Sequence, residues 1–239
     1  HDRTLERELV DTGSTLPFGV VVHETVADRD HPWPRSLMFK EGWKPDWPAH
    51  RSVPERVVST ETERRSGRWE ATQRLVVPSI SGEVTVKWTL YDHDDRIHLE
   101  AEWMMGQERH PEATYVTFPL NVPGATARYD IGGLAVDADA DRLPGSCADY
   151  FTAQRFVDLS GHEGGVTIAC PDNPMFQFGG FRFGKHADRF TLPAPLVLGW
   201  VTNNYWEVNF AADQPGLVRA RYVLASHGSA SDSGGFAES

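Results

Sequence analysis

Between positions 69 and 103 the apolar residues fall on every second position, and this alternation constrains the fold more than any other feature of the chain. In RWEATQRLVVP, Trp69, Ala71, Gln73, Leu75 and Val77 share one face, opposite Glu70, Thr72 and Arg74. In EVTVKWTLYD, Val84, Val86, Trp88 and Leu90 alternate with Glu83, Thr85, Lys87 and Thr89. In RIHLEAEW, Ile97, Leu99, Ala101 and Trp103 alternate with Arg96, His98, Glu100 and Glu102. A helix of period 3.6 would spread these residues around its axis, whereas a strand keeps them on one side. The short polar stretches 79–82 (SISG) and 92–95 (DHDD) separate the three segments, so they predict an antiparallel meander with one buried face.

Further strands are expected at 114–122, 126–131, 152–159, 164–169, 177–183, 195–201, 205–211 and 216–225, with Pro or Gly in most gaps. The only helix-like pattern is weak and lies at 1–10. Trp-Pro pairs in 28–58 predict an extended arm, because proline withdraws a ladder donor from a sheet interior. No repeat of 20–50 residues is present, which argues against a propeller or solenoid. The expected architecture is all-β: an irregular arm over 1–58, one large antiparallel β-sandwich over 59–226, and a small, polar tail over 227–239. A barrel is the alternative.

A chain of 239 residues buries a core without staples. Its two cysteines, Cys147 and Cys170, lack the spacing of a metal site and are expected as free, partly buried thiols. The net charge of −11, with basic residues scattered among acids, argues against a nucleic-acid partner. No apolar run approaches the length of a membrane span, and HDRTLERELVDTG lacks the apolar region of a signal peptide. His1 is not an initiator residue, so a fragment or processed chain is expected. Eight Trp, twelve Phe and six Tyr are a generous aromatic load; most are expected in the core, and an excess of flat rings near Asn and Gln also suits sugar faces.

Several motifs fail on inspection. GGFRFGKH (179–186) nearly matches a phosphate loop, but His186 replaces the magnesium-binding hydroxyl and no helix pattern follows; a glycine-flanked aromatic strand is expected. VDADADR (136–142) offers Asp137, Asp139 and Asp141, yet Arg142 and Ala148 stand where a calcium loop needs Gly and Glu; a solvated acidic loop is expected. DHDDRIH (92–98) reads as a turn rich in Asx residues. Glu100 and Glu102 share an exposed strand face, and no serine elbow G-x-S-x-G occurs. The stretch VTNNYWEVNF (201–210) stands apart. Three Asn in seven residues are poor strand formers. They mark either a strand end or a polar rim whose amides bond sugar hydroxyls in both directions, with Trp206 or Tyr205 as a stacking face.

The ordered series WTLYDHDDRIHLEAEW (88–103), YVTFPLNVPGATARYDIGG (115–133), LPGSCADYFTAQRFVDLSGHEGGVTIACPD (143–172) and LGWVTNNYWEVNFAADQPGLVRARYVL (198–224) resembles the C-terminal β domain of family 38 glycoside hydrolases, the α-mannosidase family. The resemblance covers roughly 60–225. It implies a large sandwich of the galactose-mutarotase type, the supersandwich, packed against an N-terminal catalytic α/β barrel of the same parent chain. Nucleophile and zinc would sit on that barrel, so no catalytic residue and no cofactor is expected within these 239 residues. The resemblance implies carbohydrate as the ligand, with Asn203, Asn204, Trp206 and Asn209 at the edge of the cleft and Gln154 and Arg155 as further candidates. A free-standing carbohydrate-binding module and a mutarotase-like sugar isomerase are the competing functions.

Overall fold

The computed structural model describes residues 2, 5–26, 49–108, 111–185, 187, 189–205 and 213–228. Among them there is no helix, and the strands form two antiparallel sheets. The six-stranded sheet runs β10 (Phe151–Thr152), β13 (Met175–Phe178), β14 (Leu196–Asn203), β7 (Glu112–Pro119), β1 (Val20–Val26), β2 (Ala49–Ser52). The nine-stranded sheet runs β3 (Arg56–Arg65), β4 (Arg68–Val76), β5 (Val84–Tyr91), β6 (Asp94–Met105), β15 (Gly216–His227), β12 (Gly164–Ala169), β11 (Phe156–Gly161), β8 (Thr126–Ile131), β9 (Leu134–Asp137). The architecture is the expected all-β sandwich. No helix among the described residues is long and apolar enough to cross a membrane.

The meander forms as its alternation predicts. Leu75, Val84, Val86, Leu99, Ala101 and Trp103 are buried in one core with Val116, Phe118 and Val197 of the opposing sheet. Its far hairpin departs from the pattern. Leu90 and Ile97 pair with each other across β5 and β6 but are exposed, while Thr89, expected on the outer face, is buried.

Other elements depart further. Within 1–58, Val20–Val26 is a strand between β7 and β2, buried from Val20 to Glu24, and β3 crosses position 58; residues 27–48 lie outside the described residues. The chain near position 5 forms a bridge between Asp2 and Arg7 in place of a helical turn. The strand expected at 152–159 is two strands, because Ala153 N–H donates to Pro174 O and Gln154 N–H to Asp130 O, carrying the chain from one sheet to the other. The strand expected at 177–183 stops at Phe178, where Gly179 takes a φ of 74°. Of the strand expected at 205–211, only Tyr205 is described, and it lies outside any strand. Cys170 is buried, which pushes its thiol up to about 12, whereas Cys147 is exposed and not partly buried as expected.

The two sheets meet closely at Gly199. It pairs with Val116 on the central strand, and a Cβ there would lie 2.3 Å from the Tyr222 hydroxyl. Tyr222 is fully buried and its oxygen accepts from Asn173 Nδ2 at 3.0 Å, so it has nowhere to retreat. Gly199→Ala is expected to cost about 1–3 kcal/mol through overpacking, visible as a lower urea midpoint with an unchanged slope.

Candidate functional site

β7 is buried over its whole length, and its residues alternate between two apolar clusters. Val116 and Phe118 belong to the core between the sheets, while Ala113 and Tyr115 belong to a second cluster with Leu198, Trp200 and Tyr205. Phe181, Phe183, Tyr150 and Met175 cover this second cluster in part. The rings interlock: Tyr115 stacks on Trp200 at 5.8 Å, Phe183 stacks on Tyr205 at 5.2 Å, and Phe181 meets Tyr115 edge-on at 5.0 Å.

A carboxylate sits inside this aromatic layer. Glu24, 4% exposed, accepts from the Tyr205 hydroxyl at 2.6 Å and from the Tyr115 hydroxyl at 3.1 Å. Its other oxygen meets an Arg51 guanidinium nitrogen at 2.5 Å. That guanidinium lies 3.9 Å from the Phe181 ring centre, a cation–π contact. Gln177 Nε2 donates to the Tyr115 hydroxyl at 3.2 Å. Burial, and next the charge of Glu24, hold the Tyr115 phenol well above its ordinary pKa. Burial, then Tyr115 and Glu24, do the same for Tyr205. Both phenols therefore stay protonated and act as donors.

The rim of this layer is the end of β14. Trp200 and Thr202 flank a shift in register against β7, after which Thr202 Oγ1 bonds Thr114 Oγ1 at 2.6 Å on the inner side. Asn203 pairs with Ala113, which places it on the aromatic side. It is half-buried, and its amide has no hydrogen-bond partner among the described residues. Asn204 is used differently. Its Oδ1 accepts from Glu112 N–H at 2.7 Å, its Nδ2 donates to Glu108 O at 3.3 Å, and its own N–H donates to Glu112 O at 3.2 Å. The side chain thus continues the ladder one residue past the strand, as Asn does where it mimics backbone.

The other candidates lie elsewhere. Gln154 and Arg155 follow β10 at the crossing between sheets. Gln154 Oε1 accepts from Gly132 N–H at 3.0 Å, and Arg155 Nε donates to the fully buried Asp130 at 2.7 Å. Both side chains are committed to structure, and nothing in the described residues joins them to Asn203 or Asn204. Trp206 and Asn209 lie outside the described residues. Sequence reasoning missed Glu24, Arg51, Tyr115 and Gln177. The signal for Glu24 was present in VVVHETV (20–26), a strand-like run interrupted by two ionisable side chains.

The failed motifs resolve as local structure. In the glycine-rich loop, Arg182 and Phe183 N–H groups donate to Gln177 Oε1 at 2.5 and 3.2 Å, folding the loop over the sheet in place of the expected strand. Asp137 Oδ1 accepts from Asp139 and Ala140 N–H at 2.8 and 2.9 Å, an Asx turn. Asp94 pairs with Arg96 at 2.8 Å and His98 at 3.0 Å. Glu100 and Glu102 are half-buried and both face Arg219. Among the described residues no three His, Cys, Asp or Glu side chains converge as metal ligands would.

No protein-family model matches the sequence, and none of the curated proteins does. Solved structures with a similar fold do exist. The chain superposes on an alpha-mannosidase from Enterococcus faecalis V583 with a TM-score of 0.59 and 9% identity, over 90% of this chain and 26% of that one. It superposes on a protein of glycosyl hydrolase family 38 from Enterococcus faecalis with a TM-score of 0.60 and 12% identity, over 90% of this chain and 27% of that one. The chain therefore spans about a quarter of the length of either enzyme, and at such identity the likeness is one of fold.

The Asn204 bridge yields a prediction. Asn204→Ala strands the Glu112 N–H and the Glu108 carbonyl, at a cost of about 1–3 kcal/mol. The variant is expected to show a lower denaturation midpoint, as a structural residue would.

Proposed function

We propose that this chain is the C-terminal β-sandwich region of an α-mannosidase-like glycoside hydrolase, supporting a companion catalytic domain and completing its carbohydrate cleft. One observation carries the reading: nine-tenths of the chain superposes on about a quarter of each of two enzymes of that kind. In such an assembly the sandwich is a rigid wall. Its six-stranded sheet, packed on both faces, presents an edge whose position is fixed to within the tolerance of a folded core.

At that edge Asn203 supplies what a sugar needs. An amide offers donors and an acceptor to neighbouring hydroxyls, and this one is not spent on the protein. Asn204 holds the edge in register with Glu112, so its role is to fix the point from which the chain continues toward Trp206 and Asn209. Trp206 would supply the stacking face and Asn209 a second amide. Gln154 and Arg155 would contribute less, since both are bound to Gly132 and Asp130.

The chain alone would not cleave glycosides. Retaining hydrolysis requires an acid and a nucleophile about 5–5.5 Å apart across one bond, and in this reading both belong to the companion domain, as does the zinc. The described residues do not fit a zinc site, since no three ligating side chains converge, and no step runs through a metal here. Incubating the pure chain with an aryl α-mannoside and zinc is expected to give no turnover above background. Appreciable turnover would overturn the accessory role. Mannose-type ligands are expected to bind weakly, with Kd on the order of millimolar. Asn203→Ala should weaken this by about five- to tenfold, one lost hydrogen bond; titration calorimetry showing unchanged affinity would remove Asn203 from the edge.

A further inference from the structure

A second polar group lies on the inner side of β1 and β7, facing away from the aromatic layer. His23 is 5% exposed and Glu112 7% exposed. His23 Nε2 meets Glu112 Oε2 at 3.0 Å, and His23 Nδ1 meets Ser79 Oγ at 2.7 Å. Ser79 comes from the opposing sheet, in the exposed turn between β4 and β5. The three span from a buried carboxylate, through a buried imidazole, to a hydroxyl at the surface.

The proton positions follow from the partners. A carboxylate only accepts, so Glu112 takes the Nε2–H and leaves Nδ1 as an acceptor for the serine proton. The imidazole is reversed end for end relative to the usual Ser–His–Asp order. Either nitrogen can serve as base once the other is protonated, so the reversal leaves the chemistry available. Both distances fall within the roughly 2.6–3.2 Å that links an activated nucleophile, its base and the group that orients the base. The backbone that carries the carboxylate is itself held: Asn204 Oδ1 accepts from the Glu112 N–H at 2.7 Å.

These residues border a cleft of about 160 Å³ between the sheets, lined also by Trp103, Met105 and Thr114. At about 30 Å³ per water it holds roughly five waters, enough for a short acyl group. Trp103 is buried, and its indole N–H has no hydrogen-bond partner among the described residues.

We propose that Ser79, His23 and Glu112 form a nucleophilic centre that hydrolyses short-chain carboxylic esters. Ser79 Oγ adds to the ester carbonyl as its proton passes to His23 Nδ1. The carbonyl–alkoxy bond breaks, and the alcohol leaves carrying the proton from His23. Water then adds to the acyl-serine, giving its proton to His23. The Ser79 ester bond breaks, the serine recovers that proton, and the carboxylic acid departs. Glu112 keeps the imidazole in one orientation throughout. The inference stands independently of the carbohydrate reading, since it concerns a different bond and a different face of the sheet.

The test uses the full chain with p-nitrophenyl acetate and a fluorophosphonate probe. Wild type should release p-nitrophenolate and carry the probe on Ser79, located by peptide mass spectrometry. Ser79→Ala, a change at an exposed position that leaves the fold intact, should lose the label and at least about 100-fold of the rate. Glu112→Gln, checked for folding by circular dichroism, should retain KM and lose at least about tenfold in kcat, as expected when the imidazole loses its orienting charge. Absence of label on wild-type Ser79, label on another serine, or a rate unchanged in either variant would overturn the proposal.

Discussion

The structure depends on one strand that has no exposed side. β7 lies at the centre of the six-stranded sheet, bonded to β1 and β14, and each of its eight residues from Glu112 to Pro119 is buried. A strand in that position must satisfy two apolar surroundings at once, and it does so by alternation. Val116 and Phe118 enter the core between the sheets, and Ala113 and Tyr115 enter the outer aromatic cluster. Burial of apolar surface stabilises at about 25 cal/mol per Å², so the second cluster adds to the core between the sheets, and its rings come from distant segments that close over the sheet.

Burial on both sides also dictates how the polar residues behave. Glu112, Thr114 and Thr117 could not be left unpaired at this depth, and each has a specific partner: His23, Thr202, and the carbonyls of Pro17 and Val20. Glu24 on the adjacent strand takes two phenols and Arg51. The side chains that draw chemical interest are therefore consequences of the packing. A sheet covered on one face would have let the same residues point into water, where none would be held in a fixed relation to another.

The parts of the fold legible in the sequence were those governed by local period. The meander follows from alternation within single segments, and its faces depart from that pattern at the far hairpin, where Leu90 and Ile97 are exposed and Thr89 is buried. β1 was not legible, because its residues 20–24 are buried on both sides of the sheet and carry no alternation. Nor was β3, an edge strand whose Thr, Glu and Arg side chains face water and protect the edge. In the site, the Asn203–Asn204 pair marked a strand end, but the work of Asn204 depends on Glu112, 92 positions away. His23 and Ser79 are 56 positions apart and His23 and Glu112 are 89; spacing of that kind carries no signal, because only the pairing of strands brings them together.

Native-state hydrogen exchange tests the central claim most directly, resolved by residue across both sheets. If β7 is the doubly packed strand on which the sandwich rests, its amides exchange only through global unfolding, together with those of the paired residues of β1 and β14, while β3 exchanges by local opening with a far smaller free energy. Exchange from β7 as fast as from β3 would contradict the account.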